Sequence, residues 1–148
     1  MQTAYIRIIR KIKQKSDGNS AIAKDLVQEG VDKLVSNFSD DPGIIEASRK
    51  LYSTAIKTYK TPSPFIAEIA KDGAALLYEK FGKTACGEIY HLYSSAIIQY
   101  LRLKEDTLAK SLTDEAVAFF TQNDCPEQAA NIPSVLEDPR SKSDIKLF

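Results

Sequence analysis

The segment Leu51-Tyr52-Ser53-Thr54-Ala55-Ile56-Lys57-Thr58-Tyr59 returns 41 positions later as Leu92-Tyr93-Ser94-Ser95-Ala96-Ile97-Ile98-Gln99-Tyr100. A second word recurs as well. Ile22-Ala23-Lys24-Asp25-Leu26-Val27-Gln28-Glu29-Gly30-Val31 is echoed by Leu108-Ala109-Lys110-Ser111-Leu112-Thr113-Asp114-Glu115-Ala116-Val117, and Ile66 to Ala74 lies between the two as an intermediate copy. A period of 41 to 43 residues marks supersecondary units that stack on one another, because each unit can bury its apolar face only on a neighbour.

The breaks between the words show what the units are made of. Asp17-Gly18-Asn19-Ser20, Asp40-Asp41-Pro42-Gly43, Thr61-Pro62-Ser63-Pro64, Gly82-Lys83-Thr84 and Lys104-Glu105-Asp106 combine helix breakers with capping residues. Pro64 after Ser63 has the order of an N-cap followed by a first helical position. The stretches between breaks are too long for ordinary strands. They predict helices over 3–16, 20–38, 43–60, 64–81, 84–103 and 107–123. Within them Tyr5, Ile8, Ile9 and Ile12, or Ile44, Ala47, Ser48, Leu51, Ala55 and Tyr59, follow the spacing of one helical face. The expected fold is all-α: six to seven helices forming antiparallel hairpins, stacked as a short α-solenoid or a compact bundle.

Two helix types alternate. The type at 22–38, 65–81 and 108–124 aligns on Gly30-Val31, Gly73-Ala74 and Glu115-Ala116; the type at 51–59 and 92–100 has a fainter copy in Ile8-Ile9-Arg10-Lys11-Ile12. A small residue at a fixed helical place admits a neighbouring helix. After Cys125 the pattern stops. Pro126, Pro133 and Pro139 interrupt the remainder, leaving room for a short helix near 127–132 and a turn near 134–138. The domain organisation expected is a helical-repeat domain over 1–124 and a largely flexible tail over 125–148.

The run Gly73, Tyr78-Glu79-Lys80-Phe81-Gly82-Lys83, Ala85 and Tyr90 across a tight interhelical break resembles tetratricopeptide-type repeats, and the unit length looks like that of the soluble NSF-attachment proteins. The chain departs from that pattern in having no tryptophan and in placing Glu115 at a small-residue position. The resemblance, over roughly 20–124, implies a scaffold that presents a concave groove to other proteins. Tyr52, Tyr59, Tyr93 and Tyr100 are candidates for such a groove; packing between repeats is the other role that suits a large ring with a hydroxyl. Phe119 and Phe120 are candidates for an apolar contact at the end of the stack, where a terminal unit lacks a neighbour.

Charge adds one localised feature. The chain has 20 basic and 20 acidic residues, which argues against a polyanion binder as a whole. Arg7, Arg10, Lys11, Lys13 and Lys15, however, have no acid among them, so the rest is net −5. This first helix reads as a basic contact for nucleic acid, for an anionic membrane surface or for an acidic protein; as a mitochondrial presequence; or as a cap whose apolar side packs on 20–38. At the other end Ile145, Leu147 and Phe148 close a polar stretch and are candidates for a docking peptide.

Residues with catalytic or metal-binding potential are sparse. His91 is the only histidine, and Glu88 three residues before it gives one ExxH spacing where a di-metal bundle needs two. Cys86 and Cys125 have no metal-binding spacing and make no disulfide framework, and Cys86 is expected to pack as a buried thiol in a reducing, cytoplasmic compartment. Gly82-Lys83-Thr84 lacks the rest of a phosphate loop. No apolar run reaches membrane-spanning length. The function expected is therefore a non-enzymatic adaptor without cofactor or metal, assembling with other proteins or with itself. A nucleic-acid subunit using residues 7–15 is the first alternative, and a carrier or enzyme with a pocket between helices the second.

Overall fold

The computed structural model describes residues 1–142. Seven α-helices follow in order: α1 (Gln2–Lys15), α2 (Ile22–Phe38), α3 (Ile44–Lys57), α4 (Pro64–Phe81), α5 (Cys86–Arg102), α6 (Asp106–Gln122) and α7 (Pro126–Asn131). Short 3-10 segments occupy Gly82–Ala85, Ile132–Glu137 and Pro139–Lys142. The described residues contain no strand. Ser63 caps α4 by accepting a hydrogen bond from the Phe65 amide at 3.1 Å, with Pro64 beside it where no donor is needed. None of these helices is long and apolar enough to cross a membrane.

Consecutive helices alternate between two rows. One row is α1, α3 and α5, closely packed side by side; the other is α2, α4 and α6, whose members touch one another lightly and lean on the first row. Two buried tyrosines set the hairpins. Tyr59, just past α3, donates to the carbonyl of Ser20 ahead of α2 at 2.7 Å, and Tyr100 of α5 donates to the carbonyl of Ser63 ahead of α4 at 2.7 Å. The end of each odd helix is thereby tied to the start of the even helix before it, which makes each pair antiparallel. Gln99 then donates to the Tyr59 carbonyl at 2.7 Å, aligning the ends of α5 and α3.

This alignment repeats along both rows. In the odd row Arg49 meets Glu88 and Ser53 meets Ser95; in the even row Lys24 meets Glu68 and Lys71 meets Glu115. Every one of these pairs is separated in sequence by about one repeat. The glycines mark where helices approach most closely. A Cβ on Gly30 would lie 2.5 Å from Ile8 of α1, and one on Gly73 would lie 2.7 Å from Leu92 and 3.0 Å from the Tyr52 ring. Val31, Ala74 and Ala116, the second members of the aligned pairs, are all buried. Glu115 stands where the other copies have glycine, and its carboxylate sits 3.5 Å from Lys71.

The C-terminal part differs from expectation in two respects. Residues 126–137 are no tail: they fold as α7 and a 3-10 turn that pack on α5 and α6, with Ile132 and Val135 buried. The prolines at 126 and 133 open these segments, where a missing amide does no harm. In addition, Cys86 and Cys125 are not free packed thiols but form a disulfide, their Cα atoms 6.2 Å apart, joining the start of α5 to the start of α7. The end of the stack is thus closed both covalently and by apolar burial. Ile145, Leu147 and Phe148, the candidate docking peptide, lie outside the described residues.

Two glycine substitutions separate close approach from helix propensity. Gly73→Ala is expected to cost about 1–3 kcal/mol, because both atoms in its way are buried. Gly87→Ala, with open space around its Cβ, should be neutral or up to about 1 kcal/mol stabilising; equal effects in urea unfolding would refute the glycine contact. The disulfide closes a loop spanning a sequence separation of 39, for which chain entropy predicts about 4 kcal/mol. Reduction with a phosphine should therefore lower the urea midpoint, and an unmoved midpoint would show that the bond contributes no stability.

Candidate functional site

The two rows differ in charge. α1 has five basic residues and no acid, α3 has three basic residues against Glu46, and α5 has Arg102 against Glu88, so the odd row is net +7. In the even row α2 is −1, α4 is −1 and α6 is −2, together −4. The chain's formal neutrality therefore conceals two faces of opposite sign.

Two adjoining clefts open on the odd row. The first, of about 490 Å³, lies between α1 and α3 and is lined by Lys13, Ser16, Thr54, Lys57, Thr58 and Lys60. Its three lysines form no ion pair among the described residues. The second, of about 510 Å³, lies between α3 and α5 beneath the turn at Pro139–Lys142. Its cations are Arg49, Lys57, Arg102 and Arg140, with His91 and Ser94 on its wall. Lys57 belongs to both clefts, so a cationic trough runs across the row.

Two of the arginines are held in place by carboxylates. Arg49 donates through Nε to Glu88 at 2.9 Å, and both side chains are partly buried. Arg140 donates to Asp138 through Nε and Nη2 at 3.1 and 2.9 Å, and these bonds hold the Asp138 carboxyl below the usual range. Ser95 donates to the His91 carbonyl at 3.0 Å and meets Ser53 at 3.1 Å. The Oγ atoms of Ser16 and Ser94, one in each cleft, are buried without a hydrogen-bond partner among the described residues. Buried hydroxyls left unpaired cost on the order of 1–3 kcal/mol, so two of them along one trough require a reason.

The aromatic candidates lie elsewhere. Tyr52 and Tyr59 are 0 % exposed, Tyr93 2 % and Tyr100 1 %, so these tyrosines form the core between rows and line no groove. Their rings fill the space that the glycine contacts and the antiparallel hairpins create. Tyr52 donates to Gln28 at 3.4 Å, and Tyr93 packs against Phe119 and Phe120 with centroids 5.8 and 5.7 Å apart. Phe120 is fully buried and Phe119 half-buried, because α6 presses both onto α5 and the C-terminal segment covers the end. They offer no free apolar end patch.

Of the basic first helix, Arg7, Arg10, Lys11, Lys13 and Lys15 are all exposed, while Ile12 is buried and Ile8 fits over Gly30. The helix is an integral member of the stack with its charges in water. It brings only Lys13 to the trough; Arg7 and Lys11 flank a separate cleft of about 280 Å³ between α1 and α2. Glu88 and His91 do not converge on a metal, since Glu88 is engaged by Arg49, and the described residues contain no group of three or more metal-ligating side chains. Cys86, bonded to Cys125, is no nucleophile.

Lys57, Lys60, Arg49, Arg102, Arg140, Ser16 and Ser94 escaped the sequence reading. The signal for α3 was present, since Arg49 and Lys57 lie two turns apart on the helix; the contribution of the 139–142 turn had none. No protein-family model matches the chain, and no characterised protein or solved structure matches it either.

The buried tyrosines make stability sensitive to alkali. Burial pushes the Tyr59 phenol up to about 12 and raises those of Tyr52, Tyr93 and Tyr100 as well. In the unfolded chain they ionise near pH ~10, so the unfolded state loses protons first as pH rises. The stability they contribute is fully present below about pH 10 and is lost as pH climbs through the folded values. The melting temperature should fall above about pH 10, with phenolate absorbance from these four appearing only as the chain unfolds. Reversible titration of all the tyrosines in the folded state would contradict their burial.

Proposed function

We propose that the chain is a non-enzymatic, tetratricopeptide-like scaffold that holds an acidic segment of another protein along the odd helix row. The observation that carries this reading is the segregation of charge between the rows, +7 against −4, with the cationic row opening into two joined clefts. Recognition on this face is electrostatic and polar, because the aromatic residues that commonly anchor protein interfaces are committed to the core.

An acidic protein segment fits better than a nucleic-acid strand. Strands are gripped by aromatic faces on which bases stack, and the trough has no aromatic residue other than His91 at its edge. The acidic even row also opposes wrapping by a long polyanion. A segment of one protein needs only the length of the trough.

A short fluorescein-labelled peptide rich in Glu and Asp serves as probe. It should bind at low salt, with affinity falling as salt rises. The combined variant Lys13→Glu, Lys57→Glu, Lys60→Glu should lose at least about tenfold in affinity. Asp25→Lys with Asp114→Lys on the even row should bind as the parent does. Equal losses in the two variants, or tighter binding of a single-stranded oligonucleotide than of the peptide, would overturn the proposal.

A further inference from the structure

We infer that the cleft between α3 and α5 is a phosphate subsite, taking the phosphomonoester of a phosphorylated serine or threonine on the bound segment. This rests on the reading of the odd row as the partner-binding face.

The two halves of the trough are built differently. The α1–α3 half presents lysines, which are mobile point charges suited to any nearby anion. The α3–α5 half concentrates guanidinium groups, whose planar forks match the oxygens of phosphate. Arg49 is already oriented, since Glu88 holds it by Nε alone and leaves both Nη groups for another acceptor. Arg140 is likewise held by Asp138 through Nε and Nη2, with Nη1 remaining. Such preorganisation reduces the side-chain ordering that binding would otherwise require.

The second observation is Ser94. Ser94 lines the cleft and is 6 % exposed, and its Oγ is enclosed just behind the cleft surface without a hydrogen-bond partner among the described residues. The neighbouring Ser95 hydroxyl is already engaged with the His91 carbonyl and Ser53, so Ser94 is the unused hydroxyl donor on this wall. A phosphomonoester has close to two charges at neutral pH and three strong acceptor oxygens. A Glu or Asp carboxylate has one charge and two oxygens. The arginine forks and Lys57, with the Ser94 hydroxyl turned toward the occupant, offer more donors than one carboxylate can accept, and their positive charge outweighs the Glu88 and Asp138 carboxylates beside them.

The test uses the full chain and three forms of one Glu-flanked peptide, with phosphoserine, Glu or Ser at the central position, in calorimetric titration. The phosphoserine form should bind at least about tenfold tighter than the Glu form. Ser94→Ala and Arg49→Lys should each weaken the phosphoserine form several-fold more than the Glu form, so that the ratio of the two affinities falls toward one. Arg49→Lys keeps the charge and removes the fork, and Ser94→Ala is expected to retain the parent melting temperature, so neither result is confused with unfolding.

Equal binding of the phosphoserine and Glu forms, both weakened by reversing Lys13, Lys57 and Lys60, would overturn the phosphate subsite and keep the acidic-segment scaffold. Absence of binding by any peptide would overturn both. Inorganic phosphate should displace the phosphoserine peptide only in large excess. Displacement at equal concentration would assign the cleft to free phosphate and overturn the protein-borne source.

Discussion

The tyrosine hydroxyls of Tyr59 and Tyr100 are the bonds on which the rest of the arrangement depends. Each is buried, and a buried phenol without a partner costs more than its ring gains at the margin. They donate to the carbonyls of Ser20 and Ser63, at the starts of the preceding even helices. An antiparallel hairpin satisfies both; a hairpin slipped by one turn leaves a hydroxyl and a carbonyl unpaired. The bonds are worth only about 1 kcal/mol each as net stability, but they discriminate among registers that hydrophobic burial alone would treat alike.

Once register is set, charge follows from it. The rows run side by side with residues one repeat apart in contact, so Lys13 near the end of α1 comes to lie beside Lys57, which ends α3, and Lys60 in one cleft. The even-row ion pairs, Lys24 with Glu68 and Lys71 with Glu115, are mostly exposed and worth at most about 1 kcal/mol. Their effect is to occupy Lys24 and Lys71, while Lys13, Lys57 and Lys60 across the molecule have no such partners among the described residues. The core of isoleucines, leucines and tyrosines supplies the stability.

How far this was legible in the sequence depends on which contacts a residue needs. The helices, their breaks and the close approach at Gly30 and Gly73 could be read because they follow from local periodicity and from the repeat; observed and expected helix ends agree within three residues. Tyr52, Tyr59, Tyr93 and Tyr100 were open to two roles because recurrence marks a shared environment without saying whether it is wet or dry. The disulfide was missed although its separation of 39 equals that of Arg49 and Glu88, a pair in contact across neighbouring units. The repeat period itself was the signal. The short helix near 127–132 and the turn near 134–138 were legible, but their packing on α5 and α6 was not, because prolines look like interruptions when only sequence is considered, whereas Pro126 and Pro133 sit at segment starts.

The cleft between α3 and α5 could not have been read from any one segment. Arg49 and Ser94 come from equivalent helices of two units, and Arg140 from a turn that the repeat does not contain. That turn is carried by α7 and Ile132–Glu137, which are anchored by Ile132, Val135 and the Cys86–Cys125 bond. The closure of the stack therefore does two things at once: it covers the apolar end left by a finite solenoid, and it brings an arginine over a cleft that two repeats alone would leave open. Loosening the end should thus reach the cleft through Arg140 while leaving Lys13, Lys57 and Lys60 in place, because those lysines depend only on the hairpin register that the tyrosines hold.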